Sequence, residues 1–222
     1  MINLKANIKA ILFDIGGPID SEILNDKLLK FHFIEEFSKH NITIDDSDIE
    51  NCMARLINNF DKNIYLSLCE YFSNDNDNIK ISVYKNILFR SKERDLIRNA
   101  PEISKDVIEV LQYLSINYKL GVVANQTLDA LKLLKNSGIN KYFRNFEVSE
   151  SIGFKKPDER IFLYVMNMLE VSNEECIMIG DRIDNDIIPA NNLNIFSIRI
   201  KTGRFTYQVP RAISEKPKYE ID

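Results

Sequence analysis

The amino-acid sequence predicts an α/β protein built in three layers, a mostly parallel sheet covered by helices on both faces, with an all-helical domain inserted near its start. Three observations carry this prediction. From about residue 99 onward, segments of helical period alternate with short apolar runs, the pattern of parallel strands joined by crossover helices. Another apolar run, IKAILFD (8–14), stands alone near the amino terminus, so its strand partners must lie far along the chain. Between these two regions only helical spacing occurs.

Taken in order, the first run ends on Asp14 and is followed at once by Gly16 and Gly17, so a buried strand stops on a carboxylate beside residues that let a backbone approach a ligand. The stretches ILNDKLLKFHFIEEFSKH, SDIENCMARLINNF and ISVYKNILFRSKERDLI then carry apolar residues three and four apart, with the polar SNDNDN (73–78) as a break. They predict a helical domain over 18–98. Asp20, Ser21 and Glu22 are read as caps of its first helix, with replacement of an active-site acid as the alternative. His32 and His40 are read as exposed or packed helix residues.

The core domain, 1–17 with 99–222, continues with a helix at 104–117 and a buried strand at 119–125. A helix at 127–138 follows, capped by Thr127 and stopped by Gly138. The remaining expectations are a weaker strand at 143–149, a helix at 158–170, a strand at 175–181, a short helix at 186–193 and a last strand at 195–200. The tail from Lys201, with Pro210 and Pro217, shows no strong period and is expected to lie over the core as irregular chain.

Composition narrows the function. A chain of 222 residues that is 45% hydrophobic can bury a full core. Its 29 Lys and Arg and 33 Asp and Glu give a net charge of −4 without a basic block, so nothing points to nucleic acid. The first residues lack the uninterrupted apolar core of a signal peptide, and no run approaches the ~20 apolar residues of a membrane helix, so no membrane partner and a cytoplasmic location are expected. Cys52, Cys69 and Cys176 are scattered and read as reduced, buried thiols. Neither GxxxxGK nor GxGxxG is present, which disfavours nucleotide binding.

Ligands of an open parallel sheet bind beyond the carboxyl ends of its strands. The sequence places Asp14, Asn125, Lys156, Asp181 and Asp186 at such ends or in the loops that leave them. Three carboxylates gathered there repel one another unless a hard cation sits among them, and oxygen donors of this kind describe a Mg²⁺ site. A phosphate beside the cation would find donors in Lys156 and in the backbone N–H groups around Gly16 and Gly17. A carboxylate held in such a place can attack phosphorus as a nucleophile.

The motifs ILFDIGG, GVVANQ, GFKKPDERIF and IMIGDRIDNDIIPA resemble, in that order, the four motifs of the haloacid dehalogenase superfamily, and the helical insertion resembles its C1-type cap domain. The resemblance spans nearly the whole chain, and its most specific part is GDxxxxD, Gly180 to Asp186, with KPD, Lys156 to Asp158. It implies a Rossmann-like core and a Mg²⁺-dependent phosphatase of a small phosphorylated metabolite, acting as a monomer or homodimer. It further implies that Asp14 is nucleophile and metal ligand, that Gly16 offers a carbonyl to the metal, and that Lys156 holds nucleophile and phosphate. Asn125 remains from the phosphate-binding motif, and Asp181 and Asp186 complete the metal site, directly or through water.

Three positions depart from the pattern. Gly16 stands where phosphatases of this superfamily usually carry a second Asp as general acid and base, Pro18 replaces a common Thr, and Ala124 replaces the phosphate-binding Ser or Thr. Loss of acid–base help costs typically ~10²- to 10⁴-fold in rate while sparing nucleophile and metal. Dehalogenases also lack the second Asp but work without Mg²⁺, so the retained metal motif argues for phosphorus chemistry. The alternative reading is a catalytically weak or inactive member that binds a phosphorylated ligand as a sensor or interaction partner. A signalling receiver domain shares an Asp, a Lys and Mg²⁺, but the large insertion and the first-strand position of Asp14 argue against it.

Overall fold

The computed structural model describes residues 7–98 and 101–222, without the side chains of 92–98. The chain divides into two compact units, Met1–Ser21 with Ala100–Asp222, and Glu22–Asn99. Residues 18–21, expected in the helical domain, group with the first unit: Ile19 is buried, and the N–H groups of Ile19 and Asp20 both donate to Ile15 O.

The first unit is built on β1 (Ala10–Phe13), β2 (Lys119–Val122), β3 (Cys176–Gly180), β4 (Phe196–Ile200) and β5 (Tyr219–Ile221). Among the described residues these form one sheet in the order β2-β1-β3-β4-β5, parallel throughout. β1 is an interior strand, paired to Lys119–Val122 on one side and Cys176–Ile179 on the other, which is why its residues are buried on both faces. Ala10 and Leu12 face a cluster with Phe162, Val165 and Met178; Ile11 and Phe13 face another with Leu111, Leu134 and Phe143. The period-2 alternation of strand side chains thus produces the three layers.

The second unit holds α1 (Ile23–Ser38), α2 (Asp46–Asn58), α3 (Ile64–Phe72) and α4 (Asp77–Arg98). Its core includes Phe33, Phe37, Ile49, Leu68, Val83 and Ile87, all with negligible exposure. α3, IYLSLCEYF, adds a helix to the expected three; it is short and so uniformly apolar that no 3.6-residue period stands out. The polar break at 73–78 lies at its carboxyl end, where Asn76 accepts from Asn78 and Ile79 N–H to start α4. The expected caps of α1 are not made: Glu22 forms no side-chain cap bond, Asp20 Oδ1 accepts from Glu102 N–H and Ser21 Oγ donates to Glu102. His32 is buried within α1, and the three cysteines are free and buried.

In the first unit α5 (Lys105–Asn117) and α6 (Leu128–Asn136) cover one face of the sheet, and α8 (Glu159–Leu169) and α9 (Ile188–Asn192) the other, with the short α7 (Ser149–Ile152) between α6 and α8 in sequence. Ser104, Thr127 and Asp158 cap α5, α6 and α8 through their side chains. The weak strand expected at 143–149 is absent. Only Asn145 bridges β2; Val148 N–H then turns to Ser151 Oγ and opens α7, because a local side-chain acceptor displaces further ladder bonds. The tail also differs from the irregular chain expected, since it returns as β5 along β4. That strand is short and exposed, held by backbone bonds and by pairs such as Lys201 with Asp222 at 2.8 Å, so no hydrophobic alternation betrays it. No helix among the described residues is long and apolar enough to cross a membrane.

Candidate active site

Because every strand runs the same way, the ends of β1, β2 and β3 open on one rim. Asp14 follows β1, with its N–H on Ile179 O. Asp181 follows β3, and the chain then makes a π-helical turn over Ile183–Ile187 that carries Asp186 back beneath the strand end. An added Cβ on Gly180 would lie 2.4 Å from Asp186 Cγ, so only glycine lets Asp186 fold back so closely.

Lys156 enters from the loop before α8 and is 3% exposed, with a cis peptide to Pro157. Its Nζ lies 2.9 Å from Asp14 Oδ1 and 2.6 Å from Asp186 Oδ1. Asp14 Oδ1 also accepts from Ile15 N–H at 2.7 Å, so the recorded donors gather on that oxygen and turn Oδ2 to other uses. Asp186 Oδ2 accepts from Arg182 N–H at 3.0 Å. Carboxylate oxygens of Asp14, Asp181 and Asp186 lie within 4.8 Å of one another. Asp181 Oδ1 is buried and has no hydrogen-bond partner among the described residues.

Burial pushes Asp181 well above the usual carboxylate range, and the charges of Asp186 and Asp14 push it further. Asp186 is raised to about 6 by burial, with Lys156 opposing and Asp14 adding to the rise. Burial pulls the Lys156 ammonium down, but Asp14 and Asp186 together outweigh it and hold it above its ordinary value. Three carboxylates against one ammonium leave the pocket two charges in deficit. A divalent cation would supply them, and the orphaned Asp181 oxygen is the hard donor it would take. The residues present therefore fit Mg²⁺.

Two phosphate-binding expectations need correction. Gly17 N–H is committed to Asp20 O at 2.7 Å, so it is not a donor to a ligand. Gly17 instead supplies a positive φ of 87° and room for Asp181, whose Oδ2 would meet an added Cβ at 2.7 Å. The Asn125 amide is engaged with the Lys156 main chain, accepting from its N–H at 2.7 Å and donating to its carbonyl at 2.9 Å. Its first task is to fix Lys156. Asp184 pairs with Arg182 at 2.6 Å and accepts from Gln208. Sequence reasoning did not single out Arg199, whose Nε donates to Asp181 O, or Gln208, which accepts from Ile183 N–H, because neither lies in a motif.

A model of the haloacid dehalogenase-like hydrolase family matches residues 11–200. A glyceraldehyde 3-phosphate phosphatase from Methanopyrus kandleri is 35% identical over 119 residues, 53% of this chain and 51% of that protein. The protein of the same name from Methanocaldococcus jannaschii is 25% identical over 207 residues, 89% of this chain and 87% of its own. Among solved structures, one from Haemophilus somnus, described as a predicted phosphoglycolate phosphatase, superposes with a TM-score of 0.72 at 19% identity, covering 98% of this chain and 95% of that one.

The raised carboxylates set the sign of the pH dependence. The folded-state value of Asp186 lies above the unfolded value of about 4, so the stability it contributes when protonated is complete below that pH and lost as pH rises through about 6, and burial with the neighbouring carboxylates shifts Asp181 in the same direction. Asp181→Asn should therefore raise the metal-free melting temperature at pH 7.5 by about 2–4 °C per kcal/mol of relieved repulsion. It should also flatten the loss of stability between pH 5 and 7.5 and abolish the shift that Mg²⁺ produces in the wild type. Scanning calorimetry of both proteins checks this, and a lower metal-free melting temperature in the variant at pH 7.5 would count against the charge cluster.

Proposed function

The chain belongs to the haloacid dehalogenase-like hydrolases, and from that premise we propose that it is a Mg²⁺-dependent phosphatase of a small phosphorylated metabolite, working through an aspartyl phosphate on Asp14. The observation that carries this reading is the buried Asp181 oxygen left without a partner, beside Asp14 and Asp186, with the Lys156 ammonium shared between the latter two. Relatives named glyceraldehyde 3-phosphate phosphatase support a small phosphate ester as substrate.

In this reading Asp14, Asp181, Asp186 and the Gly16 carbonyl would hold Mg²⁺. The bound cation supplies positive charge to the phosphoryl oxygens and offsets the carboxylates. Lys156 fixes Asp14 Oδ1, which leaves Oδ2 to attack phosphorus. The new O–P bond forms as the ester P–O bond breaks, and the leaving alkoxide takes up a proton from solvent water, since Gly16 carries no acid to give it. Lys156, held in place by the Asn125 amide, contributes donors to the phosphate oxygens together with Gly16 N–H. Water then attacks the aspartyl phosphate, which releases inorganic phosphate and restores the Asp14 carboxylate.

Gly16 favours one competing reading, a phospholigand binder with slow or no turnover, since no carboxylate stands where the proton would be given and taken. Asp14→Asn separates the two. Turnover of phosphate esters with Mg²⁺ should vanish in the variant while its circular dichroism stays that of the wild type; turnover that persists after rigorous purification would show that Asp14 is not the nucleophile.

The missing acid should matter most for poor leaving groups. Alkoxides need a proton in the transition state, whereas acyl and nitrophenyl groups depart as stable anions. Gly16→Asp should raise kcat/KM for alkyl phosphates more than for activated ones, within ~10²- to 10⁴-fold. The positive φ lies at Gly17, so Asp at 16 does not enter the left-handed region. A series of phosphates graded by leaving-group pKa measures this. A wild type already fast on alkyl phosphates, with no dependence on leaving group, would mean that another residue donates the proton.

A further inference from the structure

The loop from Asp181 to Asp186 carries two of the three clustered carboxylates, and side chains from beyond β3 hold it in place. Arg199 on β4 is 1% exposed. Its guanidinium donates to Asp181 O at 3.2 Å, to Phe205 O at 2.8 Å and to Thr206 O at 3.3 Å, and pairs with Glu220 at 3.1 Å. Gln208 is 2% exposed. Its Oε1 accepts from Ile183 N–H at 2.6 Å, and its Nε2 donates to Asp184 Oδ1 at 2.8 Å. Arg182 adds a third link, its guanidinium 4.4 Å from the Phe205 ring centroid.

A buried guanidinium and a buried amide, both aimed at the main chain of one loop, cost desolvation that bare tail packing does not require. Their bonds reach residues 181, 183 and 184, so they set the path of the turn that brings Asp181 and Asp186 together. We propose that Arg199 and Gln208 are positioning residues for the metal-binding carboxylates, and that the segment after β4 serves as a brace for the acidic loop. The role rests on the phosphatase reading above, since it assumes that the loop holds Mg²⁺. Groups that orient metal ligands are worth typically ~10- to 100-fold in metal affinity when removed.

The test uses the full chain, with Mg²⁺ alone as titrant, and the variants Gln208→Met and Arg199→Lys. Gln208→Met keeps side-chain length and removes both bonds; Arg199→Lys keeps the charge and the reach to a single acceptor. Calorimetric titration should show Mg²⁺ affinity falling ~10-fold or more in Gln208→Met and by less in Arg199→Lys, with turnover of Gln208→Met recovered at saturating Mg²⁺. Hydrogen exchange of the metal-free protein should quicken at Asp186 and Ile187, whose amides bond to Arg182 O, while β1 amides stay as protected as in the wild type. If Arg199→Lys fails to fold, Gln208→Met alone decides. Wild-type affinity and wild-type loop exchange in Gln208→Met would overturn the proposal while leaving the phosphatase reading intact. A wild-type protein that binds no Mg²⁺ would overturn both.

Discussion

The rim of the sheet depends on one buried ammonium shared between two carboxylates. Lys156 reaches Asp14 and Asp186 from a loop that belongs to neither strand end, and each contact is nearly free of solvent. Charges so placed lose their hydration, and attraction offsets that cost only while the geometry holds; removing one partner from such a pair costs about 3–5 kcal/mol. The position of Lys156 is therefore constrained twice, by its own ion pairs and by Asn125, which grips both its N–H and its carbonyl. Asp14, the acidic loop and the loop before α8 are tied into one electrostatic unit.

That unit is incomplete by charge. Lys156 neutralises one carboxylate, and Asp181 is left with an oxygen that meets no donor in a place water barely reaches. A protein that kept such a group for stability alone would have supplied a partner. The cost is sensible where a cation supplies the missing bonds, and the same argument explains the two glycines that crowd the site. Side chains at Gly17 and Gly180 would collide with Asp181 and Asp186, so backbone thinness is what lets the carboxylates converge.

Against this well-made anion and cation site stands the absence of a proton donor at Gly16. In the proposed reading, nucleophilic attack and charge neutralisation would come from Asp14, Lys156 and the acidic loop, whereas no side chain at Gly16 would transfer a proton to the leaving group. The chemistry the site favours is thus set by the leaving group as much as by the phosphate. Asp20, the next carboxylate along the chain after Gly16, is buried and already binds Glu102 N–H, and its main chain closes the turn on Gly17.

By itself the sequence determined the α/β class, the buried first strand, the helical insertion and the approximate spans of most core elements, because hydrophobic periods of 2 and 3.6 are local properties. It also singled out Asp14, Lys156, Asp181 and Asp186, since a parallel sheet sends strand ends to one rim and the motif spacing marks those ends. Tertiary structure alone decided what their neighbours do. Gly17 N–H is spent on Asp20 O, the Asn125 amide on Lys156, and residues 143–149 make one bridge instead of a strand, all because a specific acceptor lies within hydrogen-bond reach. Arg199, Gln208 and β5 were invisible for the same reason. Their partners are main-chain atoms and charges far along the chain, and a hydrogen bond to a backbone carbonyl leaves no pattern in the identity of the residue that carries it.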